Sequence, residues 1–242
     1  MPNAAAIHIT PLGDSALTVR VRSDFAADPE RALREVAHVL RLLQEADLPG
    51  VQEVTPAFTT LGVFYDPARA VSAGAPVDDI AGWLGERIKN LRAGSPRAGK
   101  NPTCRVVEIP VCYAAEFAPD LAIVARQAGL SEAEVIATHS AAAYRVGCLG
   151  FAPGFPYLIG LPAALATPRR ATPRSRVAAG SVAIGGPHTG IYPQQSPGGW
   201  NVIGRTPQRL FDASRTSPAL LAAGDEVRFQ RMTRSEFNAA KD

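Results

Sequence analysis

Apolar positions change their rhythm along this chain, and each change marks an element. In Ala16-Leu17-Thr18-Val19-Arg20-Val21, polar and apolar residues roughly alternate, as on a half-buried strand. Across Pro29 to Ala46, Leu33, Val36, Ala37, Leu40 and Leu43 recur at helical spacing, with Asp28-Pro29 as cap and first-turn proline and Pro49-Gly50 beyond the end. Val51 to Val54 and Thr59 to Tyr65 read as short strands, the second closing at Asp66-Pro67. Ile80, Trp83, Leu84, Ile88 and Leu91 mark a second amphipathic helix over Asp78 to Leu91, and Cys104 to Val111 returns to strand. This order predicts a compact α+β module with two helices on one face of a sheet.

Beyond Tyr113 the pattern changes. Pro119-Asp120 opens a helix that runs to Gly129, and the capping box Ser131-Glu132-Ala133-Glu134 starts another that reaches Ala142. From Tyr144 onward short apolar runs are cut by Gly and Pro: Tyr144 to Leu149, Ser181 to Ile184, Gly190 to Tyr192, Trp200 to Gly204 and Glu226 to Phe229. That spacing predicts an antiparallel barrel or sandwich. The stretch Ala93 to Pro102 reads as a linker, which places an N-terminal domain at 1–95 and a barrel domain, linker first, at 96–242. Gly94-x-x-x-x-Gly99-Lys100 within it approximates a phosphate-binding loop. We reject that reading, because such a loop follows a strand and opens a helix, whereas this one follows a helix and runs into Pro102.

With 46% hydrophobic and 19% charged residues, the 242-residue chain has the composition of a folded globular protein. The longest uncharged stretch, Val146 to Pro168, carries four Gly and four Pro, which argues against a membrane-spanning helix. The first residues show no basic flank leading into an apolar core, so no signal peptide is expected. Cys104, Cys112 and Cys148 are odd in number and lack C-x-x-C spacing, which fits buried thiols in a reducing cytoplasm better than a disulfide framework or a zinc site. A net charge of +3 is too small to suggest nucleic acid as a partner.

The distribution of charge says more than its total. From Val135 to Phe211, 77 residues, there is no Asp or Glu, yet seven arginines occur: Arg145, Arg169, Arg170, Arg174, Arg176, Arg205 and Arg209. A cleft built from this segment attracts anions, unless the arginines are simply solvated surface. The same absence removes calcium sites and paired-carboxylate chemistry, leaving His, Tyr, Ser, Thr, Arg and backbone groups.

Three features stand out here. Gly150-Phe151-Ala152-Pro153-Gly154-Phe155-Pro156-Tyr157-Leu158 is a stiff aromatic loop that either lines a pocket or partner surface or plugs the core. Gly180 to Trp200 joins strands through Gly185-Gly186-Pro187 and Ser196-Pro197-Gly198-Gly199. Its glycine amides with the Ser196 and Thr189 hydroxyls suit an anionic oxygen, although ordinary hairpin turns also use such residues. His139, near the end of the capped helix, is the natural proton carrier in a segment without carboxylates, or else a structural histidine, and His188 stands in a Gly/Pro turn.

Thr138-His139-Ser140, Gly150-Phe151-Ala152-Pro153-Gly154-Phe155, Pro168-Arg169, Pro173-Arg174, Ala179-Gly180-Ser181-Val182, Thr189-Gly190-Ile191-Tyr192-Pro193 and Ser196-Pro197-Gly198-Gly199-Trp200 occur in order with Gly204-Arg205-Thr206-Pro207. Together with Gly13-Asp14 near the start and Gly224-Asp225-Glu226-Val227 near the end, they resemble the allophanate hydrolase subunit 1 family. That family includes the B-type component of bacterial 5-oxoprolinase and a sporulation-kinase inhibitor. The resemblance implies an N-terminal α+β domain followed by a cyclophilin-like antiparallel β-barrel. It also implies work beside a companion barrel subunit of the C type and a third subunit of the A type, in an ATP- and Mg²⁺-dependent opening of 5-oxoproline to glutamate. Inhibition of a sensor histidine kinase, or a role in a related allophanate or urea-type amide hydrolase, is the alternative. Fold likeness to cyclophilin implies no prolyl isomerase activity.

On this reading His139 is the candidate catalytic group. Arg169, Arg174, Ser181, Thr189, Tyr192, Ser196, Gly198, Gly199 and Arg205 are the candidate substrate-binding residues, with Arg174 first for a carboxylate or phosphoryl group. Phe151, Pro153, Phe155, Tyr157 and Trp200 form the pocket or partner loop, and no metal is expected. The chain departs from the family pattern at Ala178, where Pro is usual, at His188, where Gln is usual, and at Cys112 to Phe117, which lacks the usual glycines.

Overall fold

The computed structural model describes residues 7–21, 25, 27–94 and 105–240. The chain divides into two compact units, Met1–Thr103 and Cys104–Asp242. Most of the linker read over Ala93 to Pro102, including Gly99 and Lys100 of the rejected phosphate loop, lies outside the described residues, as does Cys104.

The N-terminal unit runs β1 (His8–Pro11), β2 (Ala16–Arg20), α1 (Pro29–Glu45), β3 (Val51–Ala57), β4 (Thr60–Tyr65), α2 (Pro67–Ser72) and α3 (Ile80–Gly94). Its strands form an antiparallel sheet in the order β1-β2-β4-β3. Helix α1 starts where the sequence predicts, because the Asp28 carboxylate accepts from the Arg31 amide at 3.0 Å and Pro29 occupies the first turn. Its apolar stripe, with Val36, Val39 and Leu43, packs with Leu84 and Ile88 of α3 on Leu17, Val19, Leu61 and Val63 of the sheet. Asp66-Pro67 ends β4 but also caps and begins α2, a helix that periodicity over so few residues does not reveal.

The second unit runs β5 (Val106–Cys112), α4 (Leu121–Ala128), α5 (Glu132–Ala141), β6 (Ala143–Leu149), β7 (Pro156–Ile159), β8 (Arg174–Val177), β9 (Ser181–Gly185), β10 (His188–Ile191), β11 (Ser196–Gly198), β12 (Asn201–Arg205), β13 (Glu226–Met232) and α6 (Arg234–Ala239). Seven strands in the order β6-β13-β5-β12-β9-β10-β7 close into a barrel through the pairing of β6 with β7. One pairing departs from the expected antiparallel pattern: β13 runs parallel to β5. The whole stretch from α4 to β12 lies between these two strands in sequence, and a connection that long permits parallel pairing where a hairpin does not. The small β8–β11 ladder, β7 and α6 go beyond the sequence reading, since each is too short to show a period. The capping box at Ser131 and Glu134 forms as read. Among the described residues no helix is long and apolar enough to cross a membrane.

Strand alternation sorts this unit's side chains into two cores. Leu158, Val182, Ile184, Ile191 and Ile203 enter the main core with Val124 and Val135 of the helices. Tyr157, Ala183 and Val202, neighbours on the same strands, face the other way, into a smaller cluster of Phe155, Val177, Tyr192 and Trp200. Phe155 is 2% exposed at the centre of that cluster, whereas Phe151 is 64% exposed. Phe155→Ala is therefore expected to cost about 3–5 kcal/mol in urea unfolding, and Phe151→Ala less than about 0.5 kcal/mol. Equal losses would contradict this division of the loop.

Candidate functional site

The site grows from the outward face of β7, β9, β10 and β12. Phe155 stands at the centre of a ring of aromatics, with centroids 5.1 Å from Tyr157, 5.2 Å from Tyr192, 5.5 Å from Trp200 and 5.4 Å from Phe151. These mostly edge-to-face contacts are the favoured aromatic geometry. Small residues make the arrangement possible. A Cβ on Gly185 would lie 2.5 Å from the Trp200 indole, and one on Gly198 would collide with the Tyr192 hydroxyl. That hydroxyl takes a hydrogen bond from the Trp200 backbone, and burial raises its pKa above the ordinary phenol value. The Ser196-Pro197-Gly198-Gly199 segment, which contains strand β11 where the sequence suggests a turn, is thus shaped by the aromatics it holds.

Phe151 sits at the edge of the cluster with φ +69°, a left-handed conformation that a bulky residue adopts only where the loop imposes it. The Gly150 amide donates to the Phe155 carbonyl at 3.1 Å and the Phe155 amide to the Ala152 carbonyl at 2.9 Å, so the loop is internally tied and presents Phe151 outward. Pro153 is exposed beside it, and Tyr157 is half-buried. The exposed Arg169 guanidinium lies 5.9 Å from the Trp200 ring centre, a cation–π arrangement, and among the described residues no carboxylate pairs with it.

Arg174 already has a partner within the protein. The sequence offered its fork to a ligand carboxylate, but the structure shows it engaged by the protein's own Asp120. Arg174 Nη1 and Nη2 donate to Asp120 Oδ2 and Oδ1 at 2.6 and 2.9 Å. Arg170 Nη1 donates to Oδ1 at 2.9 Å, and the Val202 amide to Oδ2 at 2.7 Å. Asp120 precedes the acid-free stretch and reads in sequence as a helix cap; it stands at the cap position of α4, yet its side chain makes no capping bond. Other acids also fold back from outside the stretch: Glu226 lies 3.9 Å from Arg145, and Asp212 lies 3.2 Å from Arg209. The positive field expected over 135–211 is therefore only partly offset, and among the described residues Arg169, Arg176 and Arg205 have no carboxylate partner, Arg169 lying beside the aromatics. Asp120 and Arg170 are the site-shaping residues that sequence reasoning missed, since only the three-dimensional fold brings position 120 to 170, 174 and 202.

His139 lies elsewhere in the unit. Its imidazole is fully buried on the main-core side of the strands, away from the aromatic face. Thr189 Oγ1 donates to the Ala183 carbonyl at 3.0 Å, so it accepts from His139 Nε2–H at 3.1 Å, and Nδ1 accepts from the Tyr113 hydroxyl at 2.9 Å. This order assigns the neutral Nε2–H tautomer. The Tyr144 hydroxyl bonds the His139 carbonyl at 2.8 Å, and Phe229 stacks on the ring at 4.7 Å. Burial pushes the His139 pKa down to about 3, so the group exchanges no proton near neutrality. Thr189 is committed to the same network, which removes its hydroxyl from the anion-binding set.

The remaining candidates scatter. Ser181 is buried at the start of β9, and Arg205 Nε donates to the Ala179 carbonyl at 2.8 Å. Ser196 Oγ is buried without a hydrogen-bond partner among the described residues, and the Gly199 carbonyl accepts from the Arg170 amide at 2.7 Å. Cys112 and Cys148 are buried free thiols, and burial pushes Cys148 up to about 11. Among the described residues no group of three or more His, Cys, Asp or Glu is placed to hold a metal ion.

Residues 7–221 match the family model described as carboxyltransferase domain, subdomain C and D. The sequence is 40% identical over 240 residues to the B component of 5-oxoprolinase from Bacillus subtilis, covering 97% of this chain and 96% of that one. It is 41% identical over 219 residues to the B component of 5-oxoprolinase from Escherichia coli O157:H7, covering 90% and 93%. The crystal structure of TTHA0988 superposes with a TM-score of 0.74 at 38% identity, covering 90% of this chain and 40% of that longer one.

The His139 environment sets an acid limit. The unfolded state takes up the proton near pH 6.5 and the folded state only near 3, so stability falls as pH drops below about 6.5, by up to about 1.4 kcal/mol per unit. Urea unfolding between pH 7 and 5, above the carboxylate range, is expected to show this slope in the wild type and a flatter one in His139→Gln. Identical slopes would mean that the imidazole is not held neutral.

Proposed function

This chain belongs to the carboxyltransferase subdomain C and D family, and from that membership we propose that it serves as the B-type subunit of a 5-oxoprolinase. In this reading it acts with a companion barrel subunit of the C type and a third subunit of the A type to open 5-oxoproline to glutamate at the expense of ATP. The carrying observation is the exposed Arg169 guanidinium above Trp200, with exposed Phe151 on the same aromatic cluster. 5-Oxoproline is a flat five-membered lactam bearing a carboxylate. An arginine that pairs with no carboxylate among the described residues suits that anion, and ring faces suit the lactam.

The chain's own part is recognition rather than chemistry. Hydrolysis breaks the lactam C–N bond, adds hydroxyl to the carbonyl carbon and leaves a protonated amine. His139 is enclosed and neutral, and Asp120 is occupied by two arginines and an amide, so neither supplies the proton transfers. The described residues do not fit Mg²⁺-ATP either. Among the described residues no group of three or more His, Cys, Asp or Glu is placed to ligate the metal, and no glycine loop joins a described strand to a helix in the phosphate-binding manner. Nucleotide handling therefore belongs to a partner subunit, and dependence on ATP together with buried free thiols suits a cytoplasmic setting.

The test is glutamate release from 5-oxoproline with ATP and Mg²⁺. The purified chain alone is expected to be silent, and the complex with its two companions active. In that complex Arg169→Ala should lower kcat/KM at least tenfold, about 1.4 kcal/mol, without changing thermal unfolding. Turnover by the lone chain, or wild-type kcat/KM in the Arg169→Ala complex, would overturn the assignment.

A further inference from the structure

Gly13-Asp14 is one of the motifs that mark the family resemblance, yet it lies in the N-terminal unit and takes no part in the barrel site. There it lines a groove of about 780 Å³ together with Tyr65, Val71, Val77, Asp78 and Asp79. The groove has two chemical zones. Buried Tyr65 and half-buried Val71 supply apolar surface, while Asp14, Asp78 and Asp79 are exposed and no basic side chain is among the lining residues. Asp66, just outside, is already engaged by Arg69 and the first amides of α2. The Tyr65 hydroxyl is held above the ordinary phenol range by burial and then by the charge of Asp14, so the negative field extends to the apolar surface.

Exposed apolar side chains accompany the acids. Val77, which lines the groove, is 79% exposed, and Leu12, between the lining residues Pro11 and Gly13, is 56% exposed. Apolar surface with charges of a single sign at its rim is the anatomy of a protein-docking surface. The exposed rim charges steer and orient a partner of opposite sign. A site for a free amine would instead enclose its carboxylate.

We infer that this groove docks a partner subunit through a segment that carries a lysine or arginine next to an apolar side chain. The inference rests on the reading of this chain as one member of a multi-subunit enzyme. It adds a contact on the N-terminal unit to the recognition surface already described on the barrel.

Titration calorimetry of the full chain against the companion barrel subunit tests it, using Asp78→Lys and Val77→Asp, two exposed positions. Both variants should keep wild-type thermal unfolding and bind at least tenfold more weakly. Wild-type affinity should fall between 50 and 300 mM salt, and that salt dependence should shrink in Asp78→Lys. Wild-type affinity and salt dependence in both variants would overturn the groove while leaving the subunit reading intact. A wild-type chain that binds no companion would overturn both. Self-association abolished by Asp78→Lys would assign the groove to a second copy of this chain and overturn the inference as well.

Discussion

The carboxylate of Asp120, 1% exposed, receives hydrogen bonds from the guanidinium groups of Arg170 and Arg174 and from the Val202 amide, and the rest of the site depends on it. A carboxylate removed from water costs several kcal/mol unless its lone pairs are filled, and here two cations and an amide fill them. The consequence is positional. The clamp ties the start of α4 to β8, to the segment before it and to β12, and so fixes the strand that follows Trp200. Trp200 in turn packs against Gly185 and Phe155, and Phe155 supports Phe151.

The barrel wall separates two groups that the sequence sets side by side. Thr189 and Gly190 are adjacent, but Thr189 faces His139 while the Gly190 position faces Trp200 and Phe155. One face is therefore a closed hydrogen-bonded network of Tyr113, His139, Thr189 and Ala183, with donors and acceptors matched, which stabilises the packing of α5 on the strands. The other is an aromatic surface with an accessible cation. Strand periodicity alone accounts for why one face holds the structure together and the other remains open to ligands or partners.

Much of the fold was legible in the residues. The strand Ala16 to Arg20, the capped helix from Pro29 and the box at Ser131 follow from local patterns and caps that act over a few residues. The short strands Pro156–Ile159 and Arg174–Val177 did not follow, because too few residues carry a period and the ladder partners lie elsewhere in the chain. The aromatic loop was legible as special but not in how it divides between buried Phe155 and exposed Phe151. The pairing of Arg174 with Asp120 was not legible for a related reason. Charge counted along a segment ignores acids that folding brings from outside it, and Asp120 is fifty or more residues from both of its arginines.

Recognition of the ligand by Arg169 and the aromatics, as proposed, presupposes that Arg174 is committed to Asp120. A double-mutant cycle of Asp120→Asn with Arg174→Gln, read by urea unfolding, measures that commitment directly. The expected coupling is about 1–3 kcal/mol, as for groups sharing one buried network. Additivity within about 0.3 kcal/mol would contradict it, because Arg174 would then be free to serve a ligand.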